Sequence, residues 1–147
     1  MADSTRSADD AIVARVRASF ARQGAMGTLG ADLADVAAGR VAIALPIEPH
    51  LSQQDGFLHA GVVVAALDSA CGYAALTLMP NDAEVLTVEL KVNLLAPASG
   101  DRLVAEGDVL RAGHTLTVCR GEAYAEQGSE RVHVATMLAT MVRRRAG

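Results

Sequence analysis

No tryptophan occurs in these 147 residues, and only two phenylalanines and two tyrosines do. A binding face built on base stacking is therefore excluded, and the core has to be assembled from Val, Leu, Ala and Met. The net charge is −4, and the only basic run, Arg143–Arg145, reads as a solvated C-terminal tail over residues 143–147. Neither feature gives the electrostatic footprint that nucleic acid requires. Cysteine is scarce as well: Cys71 and Cys119 stand alone, without framework spacing, and suit a reducing cytoplasm. The polar start "MADSTRSADD" lacks an apolar leader, so no secretory signal is predicted. His50, His59, His114 and His133 lack zinc-ligand spacing, so no metal site is expected. No G-x-S-x-G elbow surrounds Ser69.

What the chain does have is "GFLHAGVVVAALDSACGYAALTL", residues 56–78, apolar almost throughout and interrupted by one carboxylate, Asp68. The run is long enough to cross a bilayer. An Asp at mid-span, however, costs about 2.5–3.5 kcal/mol on insertion scales, and no Lys or Arg lies between Arg40 and Lys91 to anchor the ends. No membrane role is expected; the run reads as one long helix over residues 57–78.

The remaining chain is organised around that helix as a single domain over residues 1–147. Residues 1–7 are expected to lack regular structure. Residues 8–23 form an amphipathic helix with acidic residues at its start, and "GAMGTLG" reads as a turn. "RVAIALPI" places Val41, Ile43, Leu45 and Ile47 on one face at period two, after a weaker strand in "TLGADLADVAAG". Four more strand patterns follow the long helix, separated by "PASGD", "RAGHT" and "EQGSE" as hairpins demand. In "EVLTVELKVNLL", Leu86, Val88, Leu90, Val92 and Leu94 alternate with Thr87, Glu89, Lys91 and Asn93. The fold class is α+β: an antiparallel sheet of about six strands with one long helix on its face and an additional N-terminal helix.

Asp68 shares a stripe of the long helix with Gly61, Ala65, Gly72 and Ala75, all tiny, so something approaches closely there. Three readings of the acid compete: a buried polar group satisfied by its neighbours, an ion-pair partner of Lys91 or an arginine, or a general base or nucleophile kept at a cleft. "GFLHAG" favours the third. A helix start presents free N–H groups suited to an oxyanion, and Ala60 and Gly61 leave those amides accessible. His59 sits beside them, with Gln53 and Gln54 just upstream. Ala60 and Asp68, however, are eight residues apart, about 12 Å along a helix, whereas both must lie about 3 Å from one reacting carbonyl. Two antiparallel copies meeting across a twofold axis would reconcile these distances. A homodimer with two shared sites is expected.

"QQDGFLHAG" followed by "VVVAALDSACGYAA" resembles the hotdog-fold acyl-CoA thioesterases, in particular the branch of the phenylacetate-pathway thioesterase, and the likeness extends over residues 40–142. The resemblance implies a sheet wrapped around a central helix and hydrolysis of an acyl-CoA to a free acid and coenzyme A, which is part of the substrate, with no further cofactor. It implies Asp68 as base or nucleophile, the Ala60 amide with Gly61 as oxyanion donors from the other subunit, and His59 and Gln53 as orienting groups. Thr87 would stand beside Asp68 to hold a water. Ala60 replaces a family glycine and Gln53 a family asparagine, a role that Gln54 could share. Lys91, Arg111, Gly113 and Thr115 are the candidates for coenzyme A contacts. Dimers of this kind also pair into homotetramers. The contrasting reading is a non-enzymatic acyl-CoA or small-ligand binder.

Overall fold

A computed structural model describes residues 2–147, with side chains from Asp9 onward; the N-terminal helix runs Ala2–Ala21, where irregular chain over residues 1–7 and a helix over 8–23 were expected. The chain runs α1 (Ala2–Ala21), α2 (Gly24–Thr28), β1 (Asp32–Ala37), β2 (Arg40–Pro46), α3 (Ala60–Leu76), β3 (Ala83–Leu94), β4 (Arg102–Ala112), β5 (Leu116–Gln127) and β6 (Glu130–Arg145). The six strands form one antiparallel sheet in the order β1-β2-β4-β5-β6-β3. No helix among the described residues is long and apolar enough to cross a membrane.

α3 lies on the sheet through its smallest side chains. Ala66, Ala70 and Ala74 are fully buried against it, and the seat beneath them is glycine. Gly107 of β4 pairs with Gly121 of β5. A β-carbon at Gly107 would fall 2.5 Å from the Ala70 carbonyl, and one at Gly121 would fall 3.0 Å from Leu67 and 3.1 Å from Cys71. Two facing glycines thus let helix backbone rest almost on strand backbone. Around this contact Val41, Ile43, Leu45, Leu103, Met137 and Met141 complete an aliphatic core.

Arg15 ties α1 to the far end of α3. Its guanidinium donates to the carbonyls of Leu76, Met79, Pro80 and Ala83 at 2.8–3.3 Å, satisfying acceptors that the end of a helix leaves open. Burial lowers the Arg15 pKa, and Asp82 opposes the shift.

Four further expectations need correction. "GAMGTLG" is not only a turn: Gly24–Thr28 form α2, held by burial of Met26 where intrinsic propensity is poor. The long helix starts at Ala60 rather than 57 and ends at Leu76, because His59 caps it and Thr77 closes it. The basic tail is strand: Arg143, Arg144 and Arg145 pair with Val85, Glu84 and Ala83, and Arg144 and Arg145 form ion pairs with Glu84 and Asp82. Finally, β3 has no buried face. It is an edge strand with Leu86, Val88 and Leu94 more than half exposed, and its alternation breaks at a bulge between Thr87 and Glu89.

Candidate active site

That bulge decides where Thr87 points. On β6, Met137, Ala139 and Met141 face the helix and are buried. Their partners Val92, Leu90 and Thr87 share that face. Regular alternation would have turned Thr87 outward with Glu89; the extra residue Val88 turns it inward, as bulges beside functional sites do. Its hydroxyl then donates to Asp68 Oδ1 at 2.6 Å and lies 3.3 Å from Met141 Sδ.

Asp68 is half-buried in the single chain, not fully enclosed. Its side chain makes no ion pair among the described residues, so the reading as a partner of Lys91 or an arginine is overturned. Lys91 instead donates to Asn93 at 2.6 Å. Asp68 and Thr87 open on a cavity of about 600 Å³ between α1, α3 and the start of β3.

The helix start is organised by His59. Its Nδ1 accepts the Gly61 N–H at 2.8 Å, and the ring packs where a side chain on Gly61 would sit, 3.0 Å from a β-carbon there. As Nδ1 is the acceptor, the hydrogen-bond pattern assigns the ring proton to Nε2, where it can donate outward. The Gly61 amide is thereby occupied, which removes it as an oxyanion donor. The Val62 and Val63 amides are directed to the His59 carbonyl. The Ala60 N–H has no acceptor among the described residues, so it alone is free in the first turn.

Gln53 shapes the loop before the helix. Its Oε1 accepts the amides of Asp55 at 2.5 Å and Phe57 at 3.4 Å, while its backbone pairs with Phe57. Only its Nε2 remains open toward a ligand. Gln54 is exposed and reaches Asp55. Gln53 and Ala60 line a second, smaller cavity of about 390 Å³ with Phe57, Leu58 and Leu95. The chain therefore brings Asp68 to Thr87, and Ala60 to His59 and Gln53, with Asp68 and Thr87 lining one cavity and Ala60 and Gln53 another.

The candidate coenzyme A contacts are scattered. Lys91 on β3 and Arg111 on β4 are separated by β6 and β5. Arg111 is exposed beyond a bulge in β4. The Gly113 amide donates to the Leu116 carbonyl and the Thr115 carbonyl accepts from Arg143, so neither backbone group is open; the Arg111 side chain and the Thr115 hydroxyl remain.

Cys71 and Cys119 are fully buried free thiols, and Cys119 Sγ donates to the Cys71 carbonyl at 3.5 Å. Burial pushes both thiols up, Cys119 to about 11 with Asp108 adding to the shift, and Cys71 further. An aromatic disulfide reagent at pH 8 is expected to find no reactive thiol in the native protein and two after denaturation. A fast native reaction would contradict this burial. The unfolded thiols ionise near 9.0 and the folded ones only near or above 11. The thiols therefore leave stability intact below pH 9 and erode it as pH climbs beyond.

The family profile described as "Thioesterase superfamily" matches residues 55–132. A crystal structure of a thioesterase family protein from Silicibacter pomeroyi is 49% identical, with a TM-score of 0.90 over 92% of this chain and 99% of that one. A protein named "Putative esterase" from Saccharolobus solfataricus is 40% identical over 54% of this chain and 56% of its own length. The medium/long-chain acyl-CoA thioesterase YigI of Escherichia coli is 32% identical over 56% of this chain and 60% of its own. The chain thus spans somewhat more than half the length of these two curated relatives.

Proposed function

The chain belongs to the thioesterase superfamily, and from that premise we propose that it hydrolyses an acyl-CoA thioester to a free acid and coenzyme A, in a homodimer whose two sites are each built from both protomers. The observation that carries this reading is the pairing of a carboxylate held by Thr87 with a helix start whose one open amide, at Ala60, lies in another cavity of the same chain. The curated acyl-CoA thioesterase relative supports the substrate class.

In this mechanism Thr87 holds Asp68 Oδ1 and leaves Oδ2 to act. Either Oδ2 takes a proton from water as the hydroxyl adds to the thioester carbon, or it attacks that carbon itself and water later hydrolyses the anhydride. In both routes the carbonyl becomes an oxyanion, held by the Ala60 N–H of the partner and by His59 Nε2–H. Collapse breaks the carbon–sulfur bond; the departing thiolate takes the proton that Oδ2 removed from water or, on the anhydride route, a proton from solvent. Gln53 Nε2 orients the carbonyl. The Lys91 and Arg111 side chains and the Thr115 hydroxyl offer contacts to the coenzyme A phosphates.

Dimer formation is supported by the open edge of β3 and by the exposure of Leu90 and Leu94 on the helix side of the sheet. Two copies paired there would set α3 against α3 along the half-exposed stripe of Gly61, Ala65 and Asp68. The outer sheet face remains for pairing into a homotetramer. The buried thiols fit a cytoplasmic setting.

Subunit complementation tests the shared site. Asp68→Ala removes the base, and Ala60→Pro removes the amide proton at a first helical position that tolerates proline. Each variant alone is expected to be inactive. Mixed dimers carry one site with both lesions and one with none, so random pairing restores about a quarter of wild-type turnover. Absence of any recovery in proven mixed dimers would overturn the two-protomer site. Tight acyl-CoA retention with no thiol release from the wild type would favour a binding protein instead.

A further inference from the structure

Polar side chains along the cavity that holds Asp68 form an ordered string. Ser69, the residue after Asp68, donates its hydroxyl to Gln23 Oε1 at 3.0 Å. Gln23 Nε2 donates to Tyr73 Oη at 3.1 Å, and Tyr73 Oη lies 3.3 Å from Ser19 Oγ. All four residues line the cavity. Gln23 comes from the elbow between α1 and α2, where the helix breaks with Gln23 extended at φ −82° and ψ 98°. Tyr73 is held from the other side by Phe20, with ring centroids 5.9 Å apart.

The string satisfies itself only in part. The second amide proton of Gln23 Nε2 has no acceptor among the described residues, and the Ser69 oxygen receives no donor there. A plain alkyl chain lying in the cavity would strip water from both and return nothing. An acyl group with its own oxygen a few bonds from the thioester would accept from Gln23 and donate to Ser69. Ser69 follows Asp68 directly on α3, about 1.5 Å further along the helix axis, and both line the cavity, so an oxygen that meets Ser69 and Gln23 sits near the reacting end.

We infer that Gln23, with Ser69, is a specificity-determining residue that selects acyl groups carrying a hydroxyl oxygen near the thioester over unsubstituted alkyl chains. The inference rests on the Asp68 cavity receiving the acyl group, as proposed above. It assigns the N-terminal helices a role in substrate choice.

The test compares 3-hydroxybutyryl-CoA with butyryl-CoA. The wild type is expected to favour the hydroxylated substrate in kcat/KM by about tenfold or more, and Gln23→Leu is expected to bring that ratio to about one. Ser69→Ala, a smaller change that leaves the elbow intact, should lower the ratio in the same direction. A wild-type ratio near one, or a ratio unmoved in both variants, overturns the inference. Calorimetric binding of the stable thioethers S-(3-hydroxybutyl)-CoA and S-butyl-CoA separates this inference from the hydrolytic reading. Preference for the hydroxylated thioether without turnover of either thioester would remove only the hydrolytic reading. Equal binding of both thioethers would overturn the inference itself.

Discussion

Asp68→Ala is expected to abolish thioester hydrolysis while leaving the proposed dimer and its melting temperature unchanged. A base or nucleophile that acts on the reacting carbon contributes roughly 10²–10⁴ in rate, so the variant falls to the floor of a thiol-release assay. Stability is spared because Asp68 is half-exposed and its one side-chain hydrogen bond is to Thr87. Changes of that kind stay within about 1 kcal/mol. Asp68→Asn sharpens the comparison, since an amide oxygen can still accept from Thr87 but cannot take up a proton at neutral pH. Both variants should be equally inactive. Substantial turnover by either, in a folded dimer, would remove Asp68 from the chemistry.

The second large effect is structural. Gly107→Ala is expected to lower stability by about 3 kcal/mol or more and the melting temperature by about 10 °C, in the range of severe overpacking for a domain of this size. The added carbon would meet the Ala70 carbonyl at 2.5 Å and the Cys71 nitrogen at 2.6 Å. Those are backbone atoms of α3, and they cannot turn aside as a flexible side chain would. Relief requires lifting the helix from the sheet, which would also draw Asp68 away from Thr87, so residual activity should fall with stability. Gly27→Ala is the control. A β-carbon there meets nothing within 4 Å, and alanine is the better helix former, so thermal melts should show no loss. Equal melting of the two variants would refute the close seat of α3.

The sheet was largely legible in the sequence because turn signals recur at hairpin spacing and β2, β4 and the helix run keep clean periods. Asp68 was legible for a different reason: one acid among small apolar residues demands an explanation. The pattern failed where a single residue or a tertiary contact decides. Val88 inserts into β3 and reverses the side on which Thr87 emerges, so alternation alone would turn that hydroxyl outward; its place beside Asp68 was expected from the family resemblance and not from the period. Amide occupancy was equally invisible. The sequence offered Ala60 and Gly61 as oxyanion donors and Gly113 as a coenzyme A contact, yet His59 occupies the Gly61 amide and a hairpin carbonyl the Gly113 amide. α2 escaped notice because a buried Met26, not propensity, holds it. Gln23 had no motif of its own, and its contact with Tyr73, fifty residues along the chain, depends on the helix break at Gln23 itself.

The bare margin of β3 has a consequence for the protein before it ever meets a substrate. A long strand with unpaired backbone on one side and leucines above it is a template for any extended polypeptide, and solitary copies would recruit one another into fibrous aggregates. Covering that margin with a sister subunit would guard against clumping and complete the catalytic pair in the same step. Mutations that weaken the seam should therefore surface as insolubility on overexpression before they surface as slow kinetics.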